Sequence, residues 1–117
     1  MGYDINAGKK KARIGYCGYL LMIQKMAVHV VPTCANLFEQ TLRDSLSRQA
    51  QLDKLLNMLP LEIVRLICIS DWDTISYDYA SKAADILDKL DNLNERETQV
   101  RDVFRHARRY RADVHIS

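Results

Sequence analysis

Apolar residues recur at helical spacing over most of this chain. Tyr16, Leu20, Ile23, Ala27 and Val30 follow one another at steps of four, three, four and three, the spacing of one helix face. Leu21, Met22, Met26, Val28 and Val31 widen that surface well beyond a stripe. Such a helix is buried on more than one side, or covers a partner. Pro32 ends it, because proline lacks an N–H and disfavours helical backbone in the residue before it. Thr33 offers a hydroxyl cap for the next helix. Leu37, Thr41, Leu42, Leu46, Leu52, Leu55, Leu56 and Leu59 then carry the helical period to Pro60. The stripe thins at Ser45 and Ser47, so this stretch reads as one long helix or as two pieces broken near Ser47. Pro60 is placed as the first residue of a third helix. That helix is short, apolar on both sides and therefore central.

The stretch from Ser76 to His115 contains neither glycine nor proline. Ile75, Tyr79, Ala83, Ile86, Leu90 and Leu93 share a face, and Val100, Phe104 and Ala107 resume it after Glu97. From Ile86 the steps alternate four and three, as at heptad core positions. The charge of this region is split. Asp78, Asp85, Asp88 and Asp91 crowd its front; Arg96, Arg101, Arg105, Arg108, Arg109 and Arg111 crowd its back. Asp91-Asn92-Leu93-Asn94 is poor helix material, and Asn94 with Glu97 fits the spacing of a capping box. Two architectures follow. One is a pair of helices, 74–92 and 95–112, hinged at Asn92–Asn94, in which the arginines answer the aspartates. The other is a single rod that leaves the arginines facing outward. Ahead of this region, Ser70, Asp71 and Asp73 supply helix caps. Trp72, the single tryptophan, is expected to staple onto the core; an exposed Trp72 would be a binding hot spot.

Met1–Arg13 is polar, includes Gly2 and Gly8, and has no helical period. It reads as a flexible basic N-terminal tail, 1–13, ending in Lys9, Lys10, Lys11 and Arg13, ahead of a single helical domain, 14–117. The expected fold class is all-α: a compact bundle of four to five helices with a long amphipathic C-terminal helix or helical hairpin, and no strand hairpin.

Composition narrows the class. Hydrophobic residues make up 48% of the 117 positions and charged residues 27%, which suits a folded domain rather than a disordered chain. The net charge of +2 is too small to imply a nucleic-acid or membrane partner from the total, so any such case rests on local clusters. Cys17, Cys34 and Cys68 are odd in number and widely spaced, which argues against a disulfide framework or a zinc knuckle. Each lies in an apolar run and is expected to be a buried thiol. Lys9–Arg13 precedes an apolar stretch as in a secretory signal, but Gln24, Lys25 and His29 interrupt that stretch and no small-residue cleavage site follows. The same three residues exclude a membrane span. A cytoplasmic protein is expected.

Catalytic chemistry finds little support. Asp78, Asp85 and Asp88 suggest Mg²⁺ binding, but Lys82 and Lys89 are interleaved with them, as on a solvated face. His29, His106 and His115 show no catalytic spacing with the cysteines. GxSxG, HExxH and GxGxxG are absent, and Gly8-Lys9 lacks the rest of a phosphate loop. The expectation is therefore no enzyme, no cofactor and no metal. The basic end is the best functional signal. At 100° per residue, Arg101, Arg105, Arg108 and Arg109 fall within one quadrant away from Val100, Phe104 and Ala107, flanked by His106 and Tyr110. Arginine is the preferred fork for carboxylate and phosphate.

These features predict a non-catalytic interaction or regulatory protein, such as an inhibitor, immunity-type or adaptor protein. It would bind a macromolecular partner through Arg101, Arg105, Arg108, Arg109 and Tyr110, with Lys9, Lys10 and Lys11 adding charge. The alternative is a nucleic-acid-binding helical protein using the same arginine stripe. The broken heptad spacing also leaves a homodimer open.

Two short stretches resemble known families. Leu59-Pro60-Leu61-Glu62-Ile63-Val64 with Leu66-Ile67 resembles the opening of an F-box, the helical module that docks on a ubiquitin-ligase adaptor. The chain then reads Asp71-Trp72-Asp73 where that family has a leucine/valine-rich second helix. Arg13-Ile14-Gly15-Tyr16 with Gly18-Tyr19-Leu20 is similar to a short piece of helical-repeat phosphatase regulatory subunits. Neither resemblance carries a functional residue across.

Overall fold

Tyr3-Asp4-Ile5-Asn6-Ala7 alternates apolar and polar side chains, and so does Ala12-Arg13-Ile14. In the computed structural model of the chain, which describes residues 2–43, 48–70 and 72–117, both stretches are strands. β1 (Gly2–Ala7) and β2 (Lys10–Gly15) pair antiparallel, with Ala7 opposite Lys10 and Tyr3 opposite Ile14. The two-residue turn between them is Gly8-Lys9. Gly8 takes φ 59°, the left-handed region that glycine enters without steric cost, as a type II′ hairpin requires at its first central position. A Cβ on Gly8 would also lie 3.3 Å from His106 Nε2.

Two further strands complete a four-stranded antiparallel sheet in the order β2-β1-β4-β3. They are β3 (Asp73–Ile75) and β4 (Val114–Ile116). Ile5, Ala7, Ala12, Ile14, Ile75, Val114 and Ile116 are buried on the inner face. Asp4, Lys11, Arg13, Thr74 and His115 lie exposed on the other. The all-α expectation, with its helical bundle, is therefore wrong: the fold is mixed α and β. The expected flexible tail is instead the hairpin that forms half of the sheet, and the expected domain boundary at 13/14 falls inside β2. Polar content on alternate residues reflects a sheet with one wet face, not a solvated tail.

Six α-helices occur among the described residues. α1 (Tyr16–Val30) ends before Pro32, as its pattern predicts, and a 3-10 turn over Pro32–Cys34 follows. α2 (Ala35–Arg43) and α3 (Arg48–Met58) come next; the expected weak point at Ser45 and Ser47 lies outside the described residues. α4 (Leu61–Ile67) starts after Pro60. α5 (Tyr77–Asp88) and α6 (Glu95–Tyr110) are separate helices, so the Ser76–His115 stretch is a hairpin and not a rod.

The hairpin turns on a buried carboxylate. Asn94 Oδ1 accepts from Glu97 N at 2.9 Å, and Glu97 Oε1 accepts from Asn94 N at 2.9 Å, closing the capping box. Glu97 is 1% exposed. Lys25 of α1 reaches it with a 2.6 Å ion pair and donates a second bond to Asn92 O at 2.9 Å. One lysine thus fixes both the turn and the start of α6. The helix that follows buries Val100, Val103, Phe104 and Ala107 against the β1–β2 hairpin and against α5. α5 presents Ala80, Ala83 and Ala84, small residues that allow close approach. Fully burying Phe104 stabilises the fold by about 2–3 kcal/mol.

Side chains guard both edges of the sheet. Asp73 Oδ1 accepts from Thr74 N at 2.8 Å, and Arg65 Nη2 donates to Thr74 O at 2.8 Å, so side chains satisfy the outer backbone groups of β3. Arg65 and Asp73 also form a bidentate pair at 2.7 and 3.0 Å. On β2, Arg96 Nη1 donates to Arg13 O at 3.3 Å. Edges occupied or charged in this way do not recruit foreign strands.

Three local expectations need correction. Asp73 serves the β3 turn rather than a helix start; it is Asp113 that accepts from Tyr77 N, at 2.9 Å, at the start of α5. Asp71 lies outside the described residues. Trp72 is not a staple: it is 86% exposed, with φ 63°, beside an Asp73 whose carboxylate accepts from Ser70 N at 3.2 Å. Of the cysteines only Cys34 is buried, and Cys17 and Cys68 are exposed.

Two outcomes follow for stability. Glu97→Ala removes the cap and strands Lys25, so it costs about 3 kcal/mol; Glu97→Gln, which keeps an acceptor for Asn94 N, costs less than half of that in urea unfolding. The second outcome concerns acid. The Arg65 guanidinium holds the Asp73 carboxyl at about 2, against an ordinary 3.8. A depressed carboxylate stabilises the fold above its unfolded pKa and loses that contribution as pH falls toward the folded one. The urea midpoint therefore drops between pH 4 and pH 2, and Asp73→Asn flattens that part of the profile.

Candidate anion-binding cleft

Folding α6 back on α5 divides its arginines into two sets. Arg105 Nε meets Asp88 at 2.5 Å, and Arg108 bridges Asp85 at 2.7 Å and Asp88 at 2.8 Å. Burial alone would raise the Asp88 pKa. The bonds from Arg105 and Arg108 outweigh that and hold it below the ordinary carboxylate range. Arg108 is correspondingly raised by Asp88 and Asp85. Arg101 lies 3.5 Å from Asp102 with its Nε buried and without a hydrogen-bond partner. Arg105 and Arg108 meet the acidic helix and Arg101 pairs within α6, so the expected outward quadrant does not exist as a unit. Asp85 and Asp88 are held by arginine and do not stand free for a metal. No group of three potential metal ligands occurs among the described residues.

Arg109 differs. It forms no ion pair among the described residues, and its guanidinium carbon lies 5.4 Å from the centroid of the Tyr110 ring. Tyr110 is 60% exposed, and the His106 ring is 4.6 Å from it at an interplanar angle of 45°. The β1–β2 turn abuts this end of α6, with His106 against Gly8. Lys10 is thereby carried to the same place. Lys10, Asp102, Arg105, His106, Arg109 and Tyr110 line one open cleft of about 270 Å³. Of the residues predicted from sequence, the fold brings together Lys10, Arg105, Arg109 and Tyr110. Lys11 is exposed on the outer face of the sheet, Lys9 is in the turn, and Arg101 and Arg108 are outside the cleft.

The sequence reading set His106 beside the arginine stripe but did not count it among the binding residues, and it missed that Lys10 belongs with α6. The signal was present in the alternation of β1 and β2 around Gly8. Trp72, exposed as a hot spot would be, does not line this cleft. A larger cleft of about 400 Å³ lies between α1 and the α5–α6 turn, where Lys25, His29, Lys89 and Asp91 contribute. Its Lys25 is already held by Glu97, and Lys89 and Asp91 carry opposite charges, so it offers no surplus of either sign. No helix among the described residues is long and apolar enough to cross a membrane. No protein-family model, curated protein or solved structure matches this chain.

The two arginine sets separate by stability. Arg108→Ala breaks two partly exposed pairs and lowers stability by about 1 kcal/mol. Arg109→Ala stays within about 0.5 kcal/mol of the parent. Urea midpoints of the two variants measure the difference.

Proposed function

We propose that this chain is a non-catalytic, cytoplasmic interaction or regulatory protein that docks a negatively charged macromolecule on the face made by the β1–β2 turn and α6. One observation carries the reading. Lys10, distant in sequence from α6, joins Arg105, His106, Arg109 and Tyr110 around one cleft. Asp102 is the single carboxylate in that lining, and it lies 3.8 Å from Arg105 and 3.5 Å from Arg101. Lys10 and Arg109 form no ion pair among the described residues, and Lys9, Lys11 and Arg111 are exposed nearby in sequence. Such a surplus steers anionic partners and gives salt-dependent association. Two kinds of partner carry that charge: an acidic protein surface, and a nucleic acid, which the exposed Tyr110 ring favours. The apolar seam that suggested self-association is used within the chain's own core, so a homodimer is not part of this reading.

The test is elution from an immobilised sulfated polysaccharide in a salt gradient. Lys10→Glu combined with Arg109→Glu is expected to elute at clearly lower salt than the parent. Lys54→Glu combined with Lys82→Glu changes the net charge equally on exposed residues outside the cleft, and is expected to elute later than the cleft variant. Coincident elution of the two double variants removes the reading.

A further inference from the structure

We infer that the partner docked in this cleft is a single-stranded nucleic acid, with a phosphodiester among Lys10, Arg105, His106 and Arg109 and an unpaired base against Tyr110. The inference rests on the docking reading above and narrows it. An acidic protein surface needs cations alone. Here the cations come with an aromatic ring that is 60% exposed on the same rim. Binding of single strands combines these two parts: a positive groove that follows the backbone, and an aromatic face on which a base stacks. His106, at 4.6 Å, and Arg109, at 5.4 Å, steady the Tyr110 ring from its own helix. A duplex keeps its bases stacked on each other and offers no free base face to a tyrosine.

From Lys10, β2 continues through Lys11 to Arg13, a rise of about 10 Å at strand spacing. Arg96 reaches the Arg13 carbonyl at the far end. The Lys11 and Arg13 side chains lie on the outer face of the sheet, and Arg13 is paired with Asp4 at 2.9 Å, so the cleft itself and not the length of β2 supplies the phosphate contacts. The one carboxylate in the cleft lining, Asp102, is already engaged with Arg101 and Arg105. A cleft of about 270 Å³ is also more than a lone ion fills.

Fluorescence anisotropy of the full chain at low salt tests this. Four labelled probes are compared: oligothymidylate, the same strand carrying abasic sites, a duplex of equal length, and a polyglutamate peptide. Oligothymidylate is expected to bind more tightly than the other three. Its log Kobs should fall with log salt at a slope of roughly −0.7 per neutralised phosphate. Tyr110→Leu should weaken oligothymidylate binding roughly tenfold and leave the abasic strand unchanged, while Tyr110→Phe retains the affinity. Lys10→Glu with Arg109→Glu should abolish binding of both strands. If the duplex or the abasic strand binds as tightly as oligothymidylate, or if Tyr110→Leu has no effect, the single-strand inference is overturned. If polyglutamate alone binds, and loses affinity with Lys10→Glu and Arg109→Glu, the nucleic-acid inference falls while the docking reading stands. Absence of binding to all four probes removes both.

Discussion

The buried contact among Lys25, Asn94 and Glu97 sets the geometry of everything C-terminal to it. A carboxylate that is 1% exposed is costly unless it is paired and hydrogen-bonded. Glu97 meets that condition with Oε1 alone, which takes both the Lys25 ammonium and the Asn94 amide; Oε2 is buried without a partner. The arrangement holds only if α1, the α5–α6 turn and the first turn of α6 are all in place. It therefore acts as a three-way register pin. Move α6 by one residue and Glu97 leaves Lys25, while Val100, Phe104 and Ala107 leave the sheet.

Two properties of the surface follow from that placement. The first is that α6 lies antiparallel beside α5, so Arg105 and Arg108 meet Asp88 and Asp85. What looked in the sequence like one basic stripe is mostly internal complement. The second is that α6 also lies across β1 and β2, which brings its last turns to the hairpin turn at Gly8. The basic cluster near the N-terminus and the basic end of α6 are thus parts of one surface, although more than ninety residues separate Lys10 from Tyr110.

The helical part of this fold was legible because it is encoded locally. The three-and-four spacing from Tyr16, the stops at Pro32 and Pro60, and the Asn94–Glu97 box each specify a feature within a few residues. The sheet was not legible to the same degree. β3 and β4 are three residues each, too short for a period to declare itself, and they exist because each pairs with a strand far away in sequence. β1 and β2 did carry a signal, the alternation on either side of Gly8-Lys9. Its polar half resembled a solvated tail as long as no buried face was in view. The site inherited that error: Lys10 could be listed as basic, but not placed beside Arg109. Trp72 fails for another reason. It precedes an Asp73 fixed by Arg65 and by the Ser70 and Thr74 amides, long-range and turn contacts that its own chemistry does not announce.

The cations of the cleft have individual explanations that do not involve a partner. Arg108 and Arg109 lie in the last turn of α6, where positive charge opposes the helix dipole. Lys10 and Lys11 lie on an edge strand, where lysine discourages pairing with other chains. Stability alone would therefore place basic residues at both positions. It does not account for their company. A cation placed for the dipole or for the edge can sit beside any polar neighbour. Here Lys10 and Arg109 converge on an exposed tyrosine braced by histidine, and the carboxylates of that surface are taken by other arginines. Charge without a paired acid among the described residues, next to an aromatic ring without a core to enter, is the combination that folding leaves unexplained and on which the proposed docking rests.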